Sequence, residues 1–311
     1  IPPLHRPARQ HPPHAQGGFG QPVMTPEPKQ VVIDKCAFQG TNDDRLCSFA
    51  MNHVLVLPHD LYGEIVTSKK LHERETHLQR FRNAMLSNAH WGRSLRSMVE
   101  WEAKTLQPYG PLVDWDETRK MRDRLARGDA YSPEFASDAA VGNLDSARIT
   151  LGKCAMVCQE VAPHILACAE ARRHELEPRA RRWERLQFLI DRIDEPDALN
   201  IHAIAVSQCR EGIRHPDRFC LSRDWVSWQH VRLTTVLLLE YSFLKKGRGG
   251  GTEQENAEHD LYDVHYAVLL SRADGVITWD KQLVEPLARA AFPEKDVFSS
   301  LEEVPESYRC D

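Results

Sequence analysis

Several familiar enzyme signatures are missing from this 311-residue chain. It has no phosphate-binding GxxxxGK[ST] loop, no GxGxxG dinucleotide fingerprint, no HExxH and no GxSxG. Those absences remove the enzyme classes built on these motifs from first consideration. The chain also lacks a membrane-length apolar run. Its longest strongly apolar stretch, Thr234 to Leu244, is broken by Glu240 and falls short of the roughly 20 residues a bilayer requires. The N-terminus has no basic start, apolar core and small-residue cleavage site, so no signal peptide is expected. The chain opens at Ile1 rather than Met, which leaves open whether residues 1–23 are native. Positive charge is not in excess either. A net charge of −5 argues against a uniformly basic surface, though a local basic patch could still lie beside an acidic site.

The eight cysteines include no CxxC pair. In a chain of this size they read as reduced, mostly buried thiols of a cytoplasmic protein. Cys154 and Cys158 stand at helical i,i+4 spacing within an apolar stretch, which favours core packing over zinc. With 41% hydrophobic and 27% charged residues, the composition is that of an ordinary globular protein.

Residues 1–30 are rich in Pro, His, Gly and Gln and are expected to form a disordered tail. The pattern then changes. Val31-Val32-Ile33 reads as a buried strand, Asp43–Met51 as a helix, and Val54-Leu55-Val56-Leu57 as a second buried strand stopped by Pro58. Asp60 is placed to cap a helix carrying Glu64. Residues 70–248 read as almost entirely helical, over about 70–106, 115–127, 143–176, 179–193, 197–211 and 223–245. Trp91, Trp101, Trp183, Trp225 and Trp228 are the expected core anchors. Lys245-Lys246-Gly247-Arg248-Gly249-Gly250-Gly251 cannot hold a helix and reads as a mobile basic loop. A helix from Glu258 to Arg272, a strand from Gly275 to Thr278, a helix around Leu283–Ala291 and a last strand at Val297-Phe298 complete the pattern.

Strand–helix alternation at both ends predicts one α/β domain with a parallel sheet, interrupted by a helical insertion. In such sheets functional groups collect beyond the carboxyl ends of the strands. Asp34 and Asp280 each end a β-branched run there. Asp260 and Asp263 stand three apart on one helical face, near the expected N-terminus of their helix, where the dipole favours negative charge. Together with Glu64 they form an inventory of hard oxygen donors suited to Mg²⁺ or Mn²⁺ beside a phosphate.

The segments Val-Val-Ile-Asp34, Leu-Pro58 followed by Glu64, His-Asp260-Leu-Tyr-Asp263-Val-His-Tyr, and Asp-Gly-Val-Ile-Thr278-Trp-Asp280-Lys281 resemble the PIN-domain nucleases. The resemblance implies a PIN-like three-layer α/β/α sandwich. It covers residues 31–69 plus 253–311, with 70–252 as an all-helical insertion subdomain. It also implies that Asp34, Glu64, Asp263 and Asp280 hold Mg²⁺ or Mn²⁺ for catalysis, with Asp260 as a further ligand and Thr278 as an auxiliary hydroxyl. The sequence departs from the family at Lys35-Cys36, where members often carry a small polar pair, and in the length of the insertion.

The expected activity is a metal-dependent endonuclease cutting RNA, with DNA as the alternative polymer. Lys245, Lys246 and Arg248 are expected to bind substrate. The cluster from Arg172 to Arg185 reads as an ion-paired surface or as a phosphate track, and His259 and His265 as bystanders. Two other readings stand beside this one. The first is a non-catalytic PIN-like module whose insertion binds RNA or protein or drives self-association. The second is another Mg²⁺-dependent phosphohydrolase. An aspartyl-nucleophile phosphatase wants a second Asp two residues after the first, and Cys36 stands there. No membrane partner is expected.

Overall fold

The computed structural model describes residues 28–128 apart from 67, 69 and 106, residues 173–193 apart from 177 and 180, and residues 223–245 and 253–310. Strand β1 (Gln30–Ile33) is followed by helices α1 (Lys35–Gly40) and α2 (Asp43–Asn52), strand β2 (Val54–Pro58), and helices α3 (His59–Val66) and α4 (Leu71–Leu86). Strand β3 (His90–Gly92) and helices α5 (Leu95–Thr105) and α6 (Trp115–Arg127) come next. The central region adds α7 (Arg173–Leu176), α8 (Arg182–Ile193) and α9 (Val226–Lys245). Then come α10 (Glu253–Leu269), β4 (Gly275–Ile277), α11 (Val284–Ala291) and β5 (Asp296–Phe298).

Among the described residues five strands lie in the order β3-β2-β1-β4-β5, each paired in parallel with its neighbours. The two central strands are apolar runs buried on both faces, as parallel strands covered by helices must be. Val32 of β1 pairs with Val56 of β2 on one side and Val276 of β4 on the other. The chain builds outward from β1 to β2 and β3, then returns to the other side of β1 for β4 and β5. Right-handed crossovers therefore put the two sets of connecting helices on opposite faces, with a topological switch point between β1 and β4. Helix α4 packs with α2, α3 and α6, whereas α9 packs with α8 and α10, and α11 packs with α8 and α10.

The helix expected over 70–106 is two helices separated by β3, so the stretch read as purely helical contributes an edge strand to the sheet, and the α/β unit runs on past residue 69. Asn88 is the reason. It takes a left-handed conformation (φ 83°), which Asn tolerates better than most residues, and turns the chain out of α4. Gly92 then lies against β2, where a Cβ would meet Val56 Cγ1 at 2.8 Å. Glu102 on α5, 1% exposed, receives the backbone N–H groups of Tyr109, Val226 and Ser227, and so caps the start of α9 from another helix.

Three of the five expected tryptophan anchors are buried, Trp91, Trp225 and Trp228, while Trp101 and Trp183 are exposed. Of the eight thiols expected to be mostly buried, Cys36 and Cys310 are exposed and Cys47 is half-buried. Cys154, Cys158, Cys168, Cys209 and Cys220 lie outside the described residues, as do the helix over 197–211 and residues 1–27 of the tail expected over 1–30, whose last residue, Gln30, instead opens β1. Of the helix expected over 143–176, only Arg173–Leu176 is described. Among the described residues no helix is long and apolar enough to cross a membrane.

Candidate functional site at the carboxyl edge of the sheet

The switch point brings the expected acids into one neighbourhood. Asp34 leaves the end of β1 and is the N-cap of α1, a helix the sequence reading did not foresee. It is 2% exposed. Its Oδ1 accepts the Ala37 N–H at 2.7 Å, and its Oδ2 accepts the Thr278 hydroxyl from the end of β4. Thr278 thus ties the ends of the two switch-point strands together. The same hydroxyl oxygen receives the Asp280 N–H at 3.0 Å.

Asp280 curls over the start of the following helix. Its carboxylate accepts N–H groups from Gln282, Leu283 and Val284 at 2.7, 3.1 and 3.2 Å. Glu64, 8% exposed on α3, receives Lys35 Nζ at 3.0 Å on one oxygen and the Tyr266 hydroxyl at 2.6 Å on the other. Lys35 is therefore an internal cation of the cluster, which gives a physical role to one of the two positions where the sequence departs from the PIN pattern.

Asp260 and Asp263 lie at the eighth and eleventh positions of α10, because that helix starts at Glu253 rather than Glu258. The dipole support expected near a helix N-terminus is accordingly absent. Asp263 answers to burial and to its acidic neighbours. Burial, then Glu64, Asp280, Asp260 and Asp34, push its carboxyl up to about 8. Asp34 rises to about 6, driven first by burial and then by Asp280 and Glu64, against the lowering effect of its two hydrogen bonds. Desolvation, then Asp34, Asp263 and Asp280, push the Cys36 thiol up to about 12.

Asp260 points elsewhere. It pairs with Arg182 at 2.8 Å, and the same guanidinium bonds the deeply buried Glu240, which also holds Arg185 at 3.0 Å. Arg182 and Arg185 are thus neither a solvated surface nor a substrate track. They are turned inward and fasten α8 to α9 and α10.

A second cluster went unseen in the sequence. Asp60, expected to cap α3, lies inside its first turn instead, with His265 Nδ1 at 3.3 Å and His59 Nδ1 at 3.9 Å. Burial alone would raise the Asp60 carboxyl, but the two histidines hold it below the usual range. His230 packs edge-on against His265, and burial lowers its pKa to about 3. Spacing on α3 and α10 could have hinted at this arrangement. Asp60 and Glu64 are one turn apart, and they meet His265 and Tyr266, which are adjacent.

Lys245, expected to open the basic loop, is instead the last residue of α9; its side chain, the His259 side chain, and Lys246 and Arg248 altogether lie outside the described residues.

In chemistry, the Asp34, Glu64, Asp263 and Asp280 carboxylates suit a hard divalent cation. In arrangement, no group of three or more His, Cys, Asp or Glu among the described residues is set to hold a metal ion. Ala37, Thr278, Lys35, Tyr266 and the start of α11 donate hydrogen bonds to oxygens of Asp34, Glu64 and Asp280. Set against known proteins, the chain matches no family model, no curated protein and no solved structure.

Proposed function

We propose that this chain is a PIN-like, divalent-metal-dependent endonuclease whose most direct substrate is RNA. One observation carries the reading. Carboxylates from four separate elements gather at the β1–β4 switch point, where burial and mutual repulsion raise Asp263 to about 8 and Asp34 to about 6. Concentrating like-charged groups costs stability, and clusters of perturbed acids mark functional sites. A Mg²⁺ or Mn²⁺ held by Asp34, Glu64, Asp263 and Asp280 would activate water and neutralise charge at the scissile phosphate.

The protein's own groups have distinct tasks in this scheme. The Ala37 N–H and the Thr278 hydroxyl lock the Asp34 carboxylate in one orientation. The backbone at the start of α11 does the same for Asp280. Tyr266, fully buried, aims Glu64 toward the cluster. Lys35 neutralises Glu64 in the metal-free protein and must give way for that carboxylate to serve as a ligand. Asp260 is committed to Arg182, which leaves it a structural acid in this scheme. Lys245, Lys246 and Arg248 remain candidates for holding the RNA backbone.

A second reading is favoured by one feature: the acid oxygens are already taken up by internal donors. On that reading the protein is a non-catalytic module that binds RNA or protein. Thermal unfolding separates the two. With a metal site, Mn²⁺ raises the melting temperature of the wild type by several degrees and that of Asp34→Asn by much less. On the module reading neither protein responds to Mn²⁺.

A further inference from the structure

Trp279 stands between two residues of the acid site, yet its side chain is 44% exposed. Thr278 is fixed to Asp34 by its hydroxyl, and Asp280 is fixed to the start of α11 by its carboxylate. The backbone on both sides of the indole is therefore held. The ring itself rests on Gly40, the last residue of α1, where any side-chain carbon would collide with it. Glycine provides the floor that an indole needs to lie close to the backbone. Helix α1 begins at the Asp34 cap, and its six residues, at 1.5 Å rise each, put the Gly40 Cα roughly 9 Å along the helix axis from the Asp34 Cα.

A large aromatic seated on backbone, left open to solvent and about one helix length from a cluster of acids, is an unusual use of apolar surface. It makes sense for a polyanionic substrate. The acids repel phosphates, so binding energy beside them must come from contacts that carry no charge. Stacking on a nucleobase supplies it, and every base offers the same π-face. Paired bases have that face covered by their neighbours, whereas unpaired ones do not. Lys281, exposed and two residues further along the chain, adds a cation to the same rim.

We propose that Trp279 is a stacking platform for an unpaired nucleobase next to the scissile phosphate, which makes single-stranded nucleic acid the substrate class. The location rests on the nuclease reading of the acids, but the stacking can be measured without catalysis.

The experiment is fluorescence anisotropy of a labelled single-stranded RNA, the same sequence as single-stranded DNA, and the RNA as a duplex. All are titrated in EDTA with the full-length chain as wild type, Trp279→Ala, Trp279→Phe and Gly40→Ala. Trp279→Ala is expected to weaken single-strand binding about tenfold. Trp279→Phe should keep most of the affinity, and Gly40→Ala should behave like Trp279→Ala because it unseats the ring without removing it. Duplex binding should be unaffected by all three, and the RNA and DNA arms show which single strand is preferred. Equal single-strand affinity for wild type and Trp279→Ala, or an equal loss on the duplex, overturns the proposal, as does a wild type that binds no single strand. Mn²⁺-dependent cleavage by the wild type, assayed in parallel, keeps the two claims apart. Cutting with no dependence of binding on Trp279 sinks the platform alone. Trp279-dependent binding with no cutting sinks the nuclease alone.

Discussion

Replacing Asp263 by Asn is expected to stabilise the metal-free protein while abolishing cleavage. Burial and four neighbouring acids hold the Asp263 carboxyl near 8, against an ordinary value near 4. Because the folded state binds this proton more tightly than the unfolded chain, stability falls as pH rises through the window from about 4 to about 8, and the full penalty applies above it. The penalty is on the order of a few kcal/mol, and an uncharged isostere removes it. Melting curves in EDTA should therefore nearly coincide for wild type and Asp263→Asn below about pH 4, where the carboxyl is protonated in both the folded and the unfolded chain. By pH 9 they should separate by several degrees, the variant being the more stable. A variant no more stable than wild type at pH 9 would mean that the acids do not act on one another as described. Gain of stability with loss of activity is the pattern expected where a site is strained for function.

Lys35→Met should tighten binding of Mn²⁺ by about tenfold or more, read by isothermal titration calorimetry at fixed pH. The Lys35 ammonium sits 3.0 Å from a Glu64 oxygen whose side chain is almost fully buried. In such surroundings a unit charge a few ångströms away is worth several kcal/mol at an effective dielectric near 20. A metal ion arriving at Glu64 must therefore overcome both the pair and the repulsion of the displaced amine. Methionine keeps the length of the side chain and removes both obstacles. In EDTA the same variant should melt lower than wild type, since the acids lose their internal cation. Unchanged or weaker Mn²⁺ binding would assign Lys35 another task.

These two effects mark the boundary of what could be read in the amino-acid order. Asp34, Thr278 and Asp280 were legible because a buried β-branched run that ends in a polar residue announces a strand end, and adjacent parallel strands bring their ends together. The parallel sheet followed from the same runs. The Lys35–Glu64 and Glu64–Tyr266 contacts were not legible: they join residues 29 and 202 positions apart and depend on the rotation of α3 against α10. Strand β3 escaped because three residues carry no periodicity, and the one local cue was Asn88. Helix α1 escaped because it follows β1 with no loop, so that Asp34 both ends a strand and caps a helix. Asp260 looked equivalent to Asp263 on one helical face, yet the inward-turned Arg182 on a distant helix claims it. Arginines interleaved with glutamates read as a surface, and only the packing of α8 on α9 reveals that Glu240 is their partner.

The most direct measurement is cleavage of a mixed panel of labelled RNA and DNA in Mn²⁺, Mg²⁺ or EDTA, with wild type run beside Asp34→Asn and Asp263→Asn. The account predicts cutting of single-stranded RNA that needs the metal, stops in EDTA and falls by at least about a hundredfold in both variants. A folded wild type that cuts none of the panel with either metal, or variants that cut as well as wild type, would contradict it.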